Sequence, residues 1–131
     1  MGARINFVFK TNLDEPYLVL YSHWGETEWR KDLAQALEFA KPRWTDDSYS
    51  LRIIIDQLTK DGRDSETGFG LFLAKQNELD FLDYPVIIDT QAQWVEDEGH
   101  KHSWSSFIEY QSELVEYHNP IPTEINDSVR N

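Results

Sequence analysis

The chain contains no cysteine. Neither a disulfide nor a thiolate-bound metal can therefore hold it together, and the composition fits a reducing compartment. No stretch approaches the roughly 20 apolar residues of a membrane span. Met1-Gly2-Ala3-Arg4 lacks the apolar run of a secretion signal, and Asn6 stands where a myristoylation signal wants Ser or Thr. Cations are scarce: 12 Lys and Arg face 24 Asp and Glu, for a net charge of −12. That balance argues against direct binding to nucleic acid or to an anionic membrane. Nucleophile signals are missing as well. There is no Gly-x-Ser-x-Gly elbow, and Leu71 rather than Lys follows Gly68-Phe69-Gly70, which excludes a nucleotide-hydrolase phosphate loop.

The charge that is present is unevenly spread. Residues 1–60 hold nine acids and eight Lys/Arg, whereas residues 61–131 hold fifteen acids and four Lys/Arg. Between Gln76 and His100 lie Glu78, Asp80, Asp83, Asp89, Glu96, Asp97 and Glu98, with no Lys or Arg among them. The first half can hold an anion locally. The second half repels one, and keeps the protein soluble.

At 131 residues the chain is one domain, large enough to bury roughly two-thirds of the surface its unfolded form exposes. Residues 4–10 alternate as a half-buried strand, with Ile5, Phe7 and Phe9 on one face. Residues 17–21 form a second strand, apolar on both faces and expected to be the more central of the two, joined to the first as an antiparallel hairpin. Thr27 is a candidate N-cap for a first helix. Trp29, Leu33, Leu37 and Ala40 recur there at helical spacing, and Pro42 ends the helix near Lys41. Thr45-Asp46-Asp47-Ser48 starts a second helix, which buries Leu51, Ile54, Ile55 and Leu58 and stops at Gly62. Strands follow at residues 69–74, 85–89 and 92–96. Ser103 caps a last helix. The class is α+β: an antiparallel sheet of about five strands, order ββααβββα, with helices largely on one face. The domain spans residues 1–118, and residues 119–131 form a mobile tail.

Several runs resemble a family of small bacteriophage accessory proteins. They are Met1-Gly2-Ala3-Arg4-Ile5-Asn6-Phe7-Val8; Val19-Leu20-Tyr21-Ser22-His23-Trp24-Gly25; Pro42-Arg43-Trp44 with Tyr49, Arg52, Ile53 and Ile54; and Ser65-Glu66-Thr67-Gly68-Phe69-Gly70. The likeness covers roughly the first 75 residues and extends loosely to the 85–95 strand pair. The family has no assigned activity, so no catalytic or binding residue carries over. The resemblance implies a protein expressed in the cytoplasm of a bacterial host, where such proteins inhibit enzymes, block defence systems or sequester signalling nucleotides.

Four residue groups bear on function. Tyr21-Ser22-His23-Trp24-Gly25-Glu26 joins a strand to a helix start, where backbone N–H groups can hold a phosphate and Trp24 can stack on a base. Glu26 and Glu28 oppose an anion there, and Trp24 plugging the core edge is the plainer reading. Ser65, Thr67 and Phe69 belong to a Gly-containing loop, read either as a ligand lining or as a bulged strand entrance. Arg30, Lys41, Arg43, Trp44 and Arg52 form a third set, whose arginines offer planar capture of phosphate or carboxylate, whereas Arg52 paired with Asp56 at i+4 is the bland alternative. His100-Lys101-His102 resembles a metal pair, but a solvated turn explains it better.

The expectation is a non-enzymatic binding protein without a cofactor. Two partners fit. One is a small anionic, nucleotide-like molecule held by His23, Trp24, Arg43, Trp44, Arg52, Ser65, Thr67 and Phe69. The other is a host protein engaged by the acidic residues Glu78, Asp80, Asp83, Glu96, Asp97 and Glu98, which would mimic nucleic acid. A small hydrolase ranks third. Five Trp and six Tyr also suggest a homo-oligomer, since aromatic residues are enriched at interfaces.

Overall fold

The hairpin at the start of the chain places its first strand, β1 (Ile5–Lys10), deeper than its alternation implies. Ile5 to Phe9 are all buried. This is a computed structural model, and it describes residues 4–11, 15–23 and 29–118, with side chains described up to residue 111. β2 (Tyr17–Ser22) pairs antiparallel with β1 in the expected hairpin, with Phe7 opposite Leu20. The candidate N-cap Thr27, the loop residues Trp24 to Glu28 and the tail from residue 119 lie outside the described residues.

Helix α1 (Trp29–Phe39) buries Trp29, Leu33, Ala36 and Leu37, the stripe its spacing predicts. A short 3-10 turn at Lys41–Arg43 carries Pro42 where its missing N–H costs nothing. Helix α2 (Asp47–Thr59) starts at the Asp46 cap, whose carboxylate accepts from the Tyr49 N–H at 3.2 Å. Its isoleucine run is helical because that cap and the 3.6-residue spacing override strand propensity. Ile54 is buried, and Leu51, Ile53, Ile55 and Leu58 pack partly against the core.

The rest of the sheet comprises β3 (Phe69–Ala74), β4 (Pro85–Asp89), β5 (Trp94–Asp97) and β6 (His100–Ser103). A 3-10 segment, Gln76–Phe81, lies between β3 and β4. Helix α3 (Trp104–His118) begins where the Ser103 hydroxyl accepts from the Ser106 N–H at 3.1 Å.

The α+β class holds, with two differences in the sheet. Among the described residues it has six strands in the order β3-β2-β1-β4-β5-β6, and β4 pairs parallel with β1, so the sheet is mixed rather than antiparallel. The extra strand is β6, at the residues read as a solvated turn. His100-Lys101-His102 pairs with β5, with Lys101 opposite Glu96, through the two-residue turn Glu98-Gly99. Both turn residues have positive φ, 52° and 82°, the geometry that suits the twist of a tight hairpin. The parallel β1–β4 pairing also explains the depth of β1. Flanked by β2 and β4, it is an interior strand buried on both faces.

The helices pack on one face. There Trp29 stacks with Phe107 at 6.3 Å and meets Phe7 and Tyr84 edge-on, while Trp44 meets Trp104 edge-on at 5.2 Å. The core thus absorbs much of the aromatic content that suggested an oligomer. On the other face Val8, Val19, Ala74 and Leu79 form a smaller cluster, partly roofed by the 3-10 segment.

Trp104 is fully buried, and its indole N–H donates to the Trp94 carbonyl. Trp104→Ala should therefore cost about 3–5 kcal/mol, measured as a lower denaturant midpoint with an unchanged slope. A cost under about 1 kcal/mol would mean α3 is not anchored by this ring.

Candidate functional site

Along β4 and β5, side chains alternate between the two faces of the sheet. Val86, Ile88 and Val95 point to the helix layer and are fully buried. Pro85, Ile87 and Glu96 point the other way. There they meet the 3-10 segment and enclose an open groove of about 340 Å³. Leu79, Pro85 and Ile87 give it an apolar floor, and Asp80, Glu96 and Glu98 give it an acidic rim. Among the described residues Lys10 is the one basic residue lining it, and its ammonium is drawn to the Gln76 side chain at 3.1 Å and over the Tyr17 ring at 5.0 Å. Asp80, Glu96 and Glu98 form no ion pair with a described residue. Even Lys101, directly opposite Glu96, places its ammonium over Trp94 at 5.9 Å instead.

The same alternation removes Asp97 from this acidic set. It points to the helix face, with its side chain 12% exposed, and its Oδ2 accepts from Arg30 at 2.6 Å. Arg30 also donates to the Tyr84 hydroxyl at 3.0 Å and lies over the Trp29 ring at 4.5 Å. Burial alone would lower the Arg30 pKa. The hydrogen bond and charge of Asp97, with help from Tyr84, outweigh it and hold the pKa above its usual value. Arg30 is thus a permanent cation that neutralises Asp97. Tyr84 sits at φ +45°, a conformation uncommon outside glycine. Asn6 fixes the segment on either side of that kink: its N–H donates to the Tyr84 carbonyl and its side-chain amide to the Asp83 carbonyl. Trp29 Nε1 and Asp97 Oδ1 are buried with no hydrogen-bond partner among the described residues, a desolvation cost of about 1–3 kcal/mol each.

The other acids of the predicted set divide. Glu78 is committed to capping the 3-10 segment, accepting from the Lys75 N–H at 2.7 Å. Asp83 is exposed and lies 3.8 Å from Arg4. Of the six, the structure brings Asp80, Glu96 and Glu98 together.

The residues proposed for an anion do not converge. His23 and the 65–70 loop share one end of the sheet: the His23 N–H donates to the Gly68 carbonyl at 2.8 Å, and His23 Nδ1 shares a hydrogen bond with the Tyr21 hydroxyl. Phe69 lies there as well, its ring against Gly62, while Ser65 and Thr67 are exposed. Arg43 and Trp44 sit at the opposite end of α2, whose 13 residues span about 20 Å. Arg43 is exposed beside the Tyr49 ring at 5.2 Å. Trp44 is a structural residue, its indole N–H donating to the Leu37 carbonyl at 2.8 Å. It does line a larger open groove of about 620 Å³, but Asp46 and Asp47 also line that groove and disfavour an anion. Arg52 is exposed, and its expected partner Asp56 instead pairs with Arg63 at 2.7 Å. Trp24 lies outside the described residues.

Sequence reasoning missed the groove floor and the Arg30–Asp97 pair. The floor was signalled by Pro85 and Ile87 alternating with Val86 and Ile88. Nothing local signals a contact between residues 67 apart. Among the described residues no group of His, Cys, Asp or Glu is arranged to hold a metal, and no helix is long and apolar enough to cross a membrane. No protein-family model, curated protein or solved structure matches this chain.

Removing Arg30 strands a largely buried carboxylate. Arg30→Ala should destabilise the fold by about 2 kcal/mol, below the usual range for a fully buried pair because the guanidinium is half exposed. Replacing both partners, Arg30→Met with Asp97→Leu, should recover most of that loss in urea unfolding. Equal losses in the single and double variants would show that the pair does not neutralise Asp97.

Proposed function

We propose that this chain acts by binding a basic segment of another protein in the groove between the 3-10 segment and the β4–β5 hairpin. The observation that carries this is an apolar floor beside carboxylates that form no ion pair among the described residues, on one face. A Lys or Arg side chain has that same division, a hydrocarbon stem ending in a cation. Its stem packs on Leu79, Pro85 and Ile87 while its head reaches Asp80, Glu96 or Glu98. An anionic ligand would meet repulsion from those same carboxylates. Trp94, partly exposed on this face, adds an aromatic surface that attracts cations.

On this reading the net charge of −12 speeds encounter with a basic partner and makes association sensitive to salt. The likeness to phage accessory proteins points to a host protein as that partner, whose basic nucleic-acid-binding surface an acidic groove would occupy in competition. The role is that of an inhibitor or interaction module in the host cytoplasm, without turnover.

The test is titration calorimetry with a Lys/Arg-rich peptide at low and raised salt. Binding should weaken with salt, and Asp80→Asn, Glu96→Gln and Glu98→Gln together should weaken it at least tenfold, about 1.4 kcal/mol. Neutralising the exposed acids Glu38, Asp61 and Asp64, away from the groove, should have a smaller effect. Equal losses in the two triple variants would reduce the groove to diffuse charge and contradict the reading.

A further inference from the structure

The two edges of the sheet are built differently. β6 is a four-residue edge, His100-Lys101-His102-Ser103, and its lysine and short length discourage pairing with another chain. β3 is a six-residue edge, Phe-Gly-Leu-Phe-Leu-Ala, with no charge and no proline. One side of β3 pairs with β2 along its full length, from Ser22↔Phe69 to Tyr17↔Ala74. No described strand pairs with its other side. Leu71 is 59% exposed, Phe72 39% and Leu73 63%, so apolar side chains reach solvent on both faces of this edge. A long, uncharged, apolar edge is a template for strand pairing.

The charges that flank β3 identify what pairs with it. Nearest the strand, Glu66 precedes it and Lys75 follows it; further out lie Lys60, Asp61 and Asp64 on one side and Glu78 and Asp80 on the other. Arg63 lies among those acids but is occupied by Asp56. An acid nearest one end, Glu66, and a base nearest the other, Lys75, are the pattern that a strand matches with an inverted copy of itself. We propose that β3 pairs antiparallel with β3 of a second copy of this chain, about a two-fold axis perpendicular to the sheet. That axis keeps both helix layers on one side, so odd-numbered residues face odd-numbered residues. In the register centred on Leu71, Leu71 faces Leu71, Phe69 faces Leu73, and Lys75 falls opposite Thr67, beside Glu66 of the other copy. A two-fold contact consumes both β3 edges and leaves, among the described strands, only the blunted β6 edges, so assembly stops at the dimer. Elsewhere two chains of charge −12 repel one another, which makes an uncharged strip with compensated ends the favoured place of contact. The strip is small, so the dimer is of the weak, micromolar kind.

Sedimentation equilibrium across a concentration series reads this directly. The wild type should reach twice its 15.4 kDa mass by about 100 µM, a concentration that populates micromolar contacts. Leu71 is already exposed, so Leu71→Lys should keep the wild-type circular dichroism and melting temperature yet remain a monomer. Glu66→Lys and Lys75→Glu should each weaken the dimer severalfold, and the two together should restore it. A monomeric wild type at that concentration, open-ended assembly, a dimeric Leu71→Lys protein with native spectra, or a double charge swap that fails to restore the dimer would each overturn the proposal.

Discussion

Strand β1 has no face open to water, and this constraint governs how the other elements are arranged. Ile5, Phe7 and Phe9 on one side require a layer of helices, and α1, α2 and α3 provide it. Val8 on the other side requires a second cover, and Val19, Ala74 and Leu79 provide it, the last from the 3-10 segment. Buried backbone groups must also be paired. β1 meets that demand with β2 on one side and β4 on the other. The parallel β1–β4 ladder is therefore what carries the β4–β5–β6 ribbon beyond the cover of the 3-10 segment. The groove lies where that cover ends.

The acidic half of the chain is organised by the two-residue period of its strands. Glu96, Asp97 and Glu98 are consecutive but have different roles. Glu96 and Glu98 border the groove, whereas Asp97 turns inward to Arg30. A buried carboxylate without a cation would cost several kcal/mol, and Arg30 meets that need while covering the Trp29 ring. The ion pair ties the start of α1 to the end of β5, so the helix layer and the groove-bearing hairpin are held to one another. Asp97 is neutralised where it is buried, whereas Glu96 and Glu98 pair with no described cation at the groove, which is the arrangement a surface needs if it is to receive a cation.

Much of the fold was legible because hydrophobic period and capping chemistry agree. Trp29, Leu33 and Leu37 mark α1, Asp46 marks the start of α2, Ser103 marks the start of α3, and the bounds of β3 and β4 follow from their apolar runs. β6 was not legible, because His100-Lys101-His102 has the composition of a loop and becomes a strand only through pairing with β5 and the Glu98-Gly99 turn. The parallel pairing was equally hidden, since the order of elements along the chain does not specify which strands become neighbours. The acidic character of residues 78–98 could be read directly. Which of those acids share a surface could not, because that depends on the alternation of β5, on the cap formed by Glu78 and on a partner for Asp97 that is 67 residues away. Arg43, Trp44 and Arg52 were conspicuous in sequence for their chemistry, but α2 separates the first two from the Ser65–Gly70 loop, and Trp44 is spent on the core.

The open face of the sheet, between the 3-10 segment and β5, is the surface proposed to receive cationic side chains. Amide hydrogen exchange of the intact protein, with and without a saturating Lys/Arg-rich peptide, tests it most directly. Added protection is expected at Gln76–Phe81, at Glu96 and through the Glu98-Gly99 turn, with the α1–α2 face unchanged. Protection spread evenly over the acidic surface, or centred on the α2 start near Arg43 and Trp44, would contradict it.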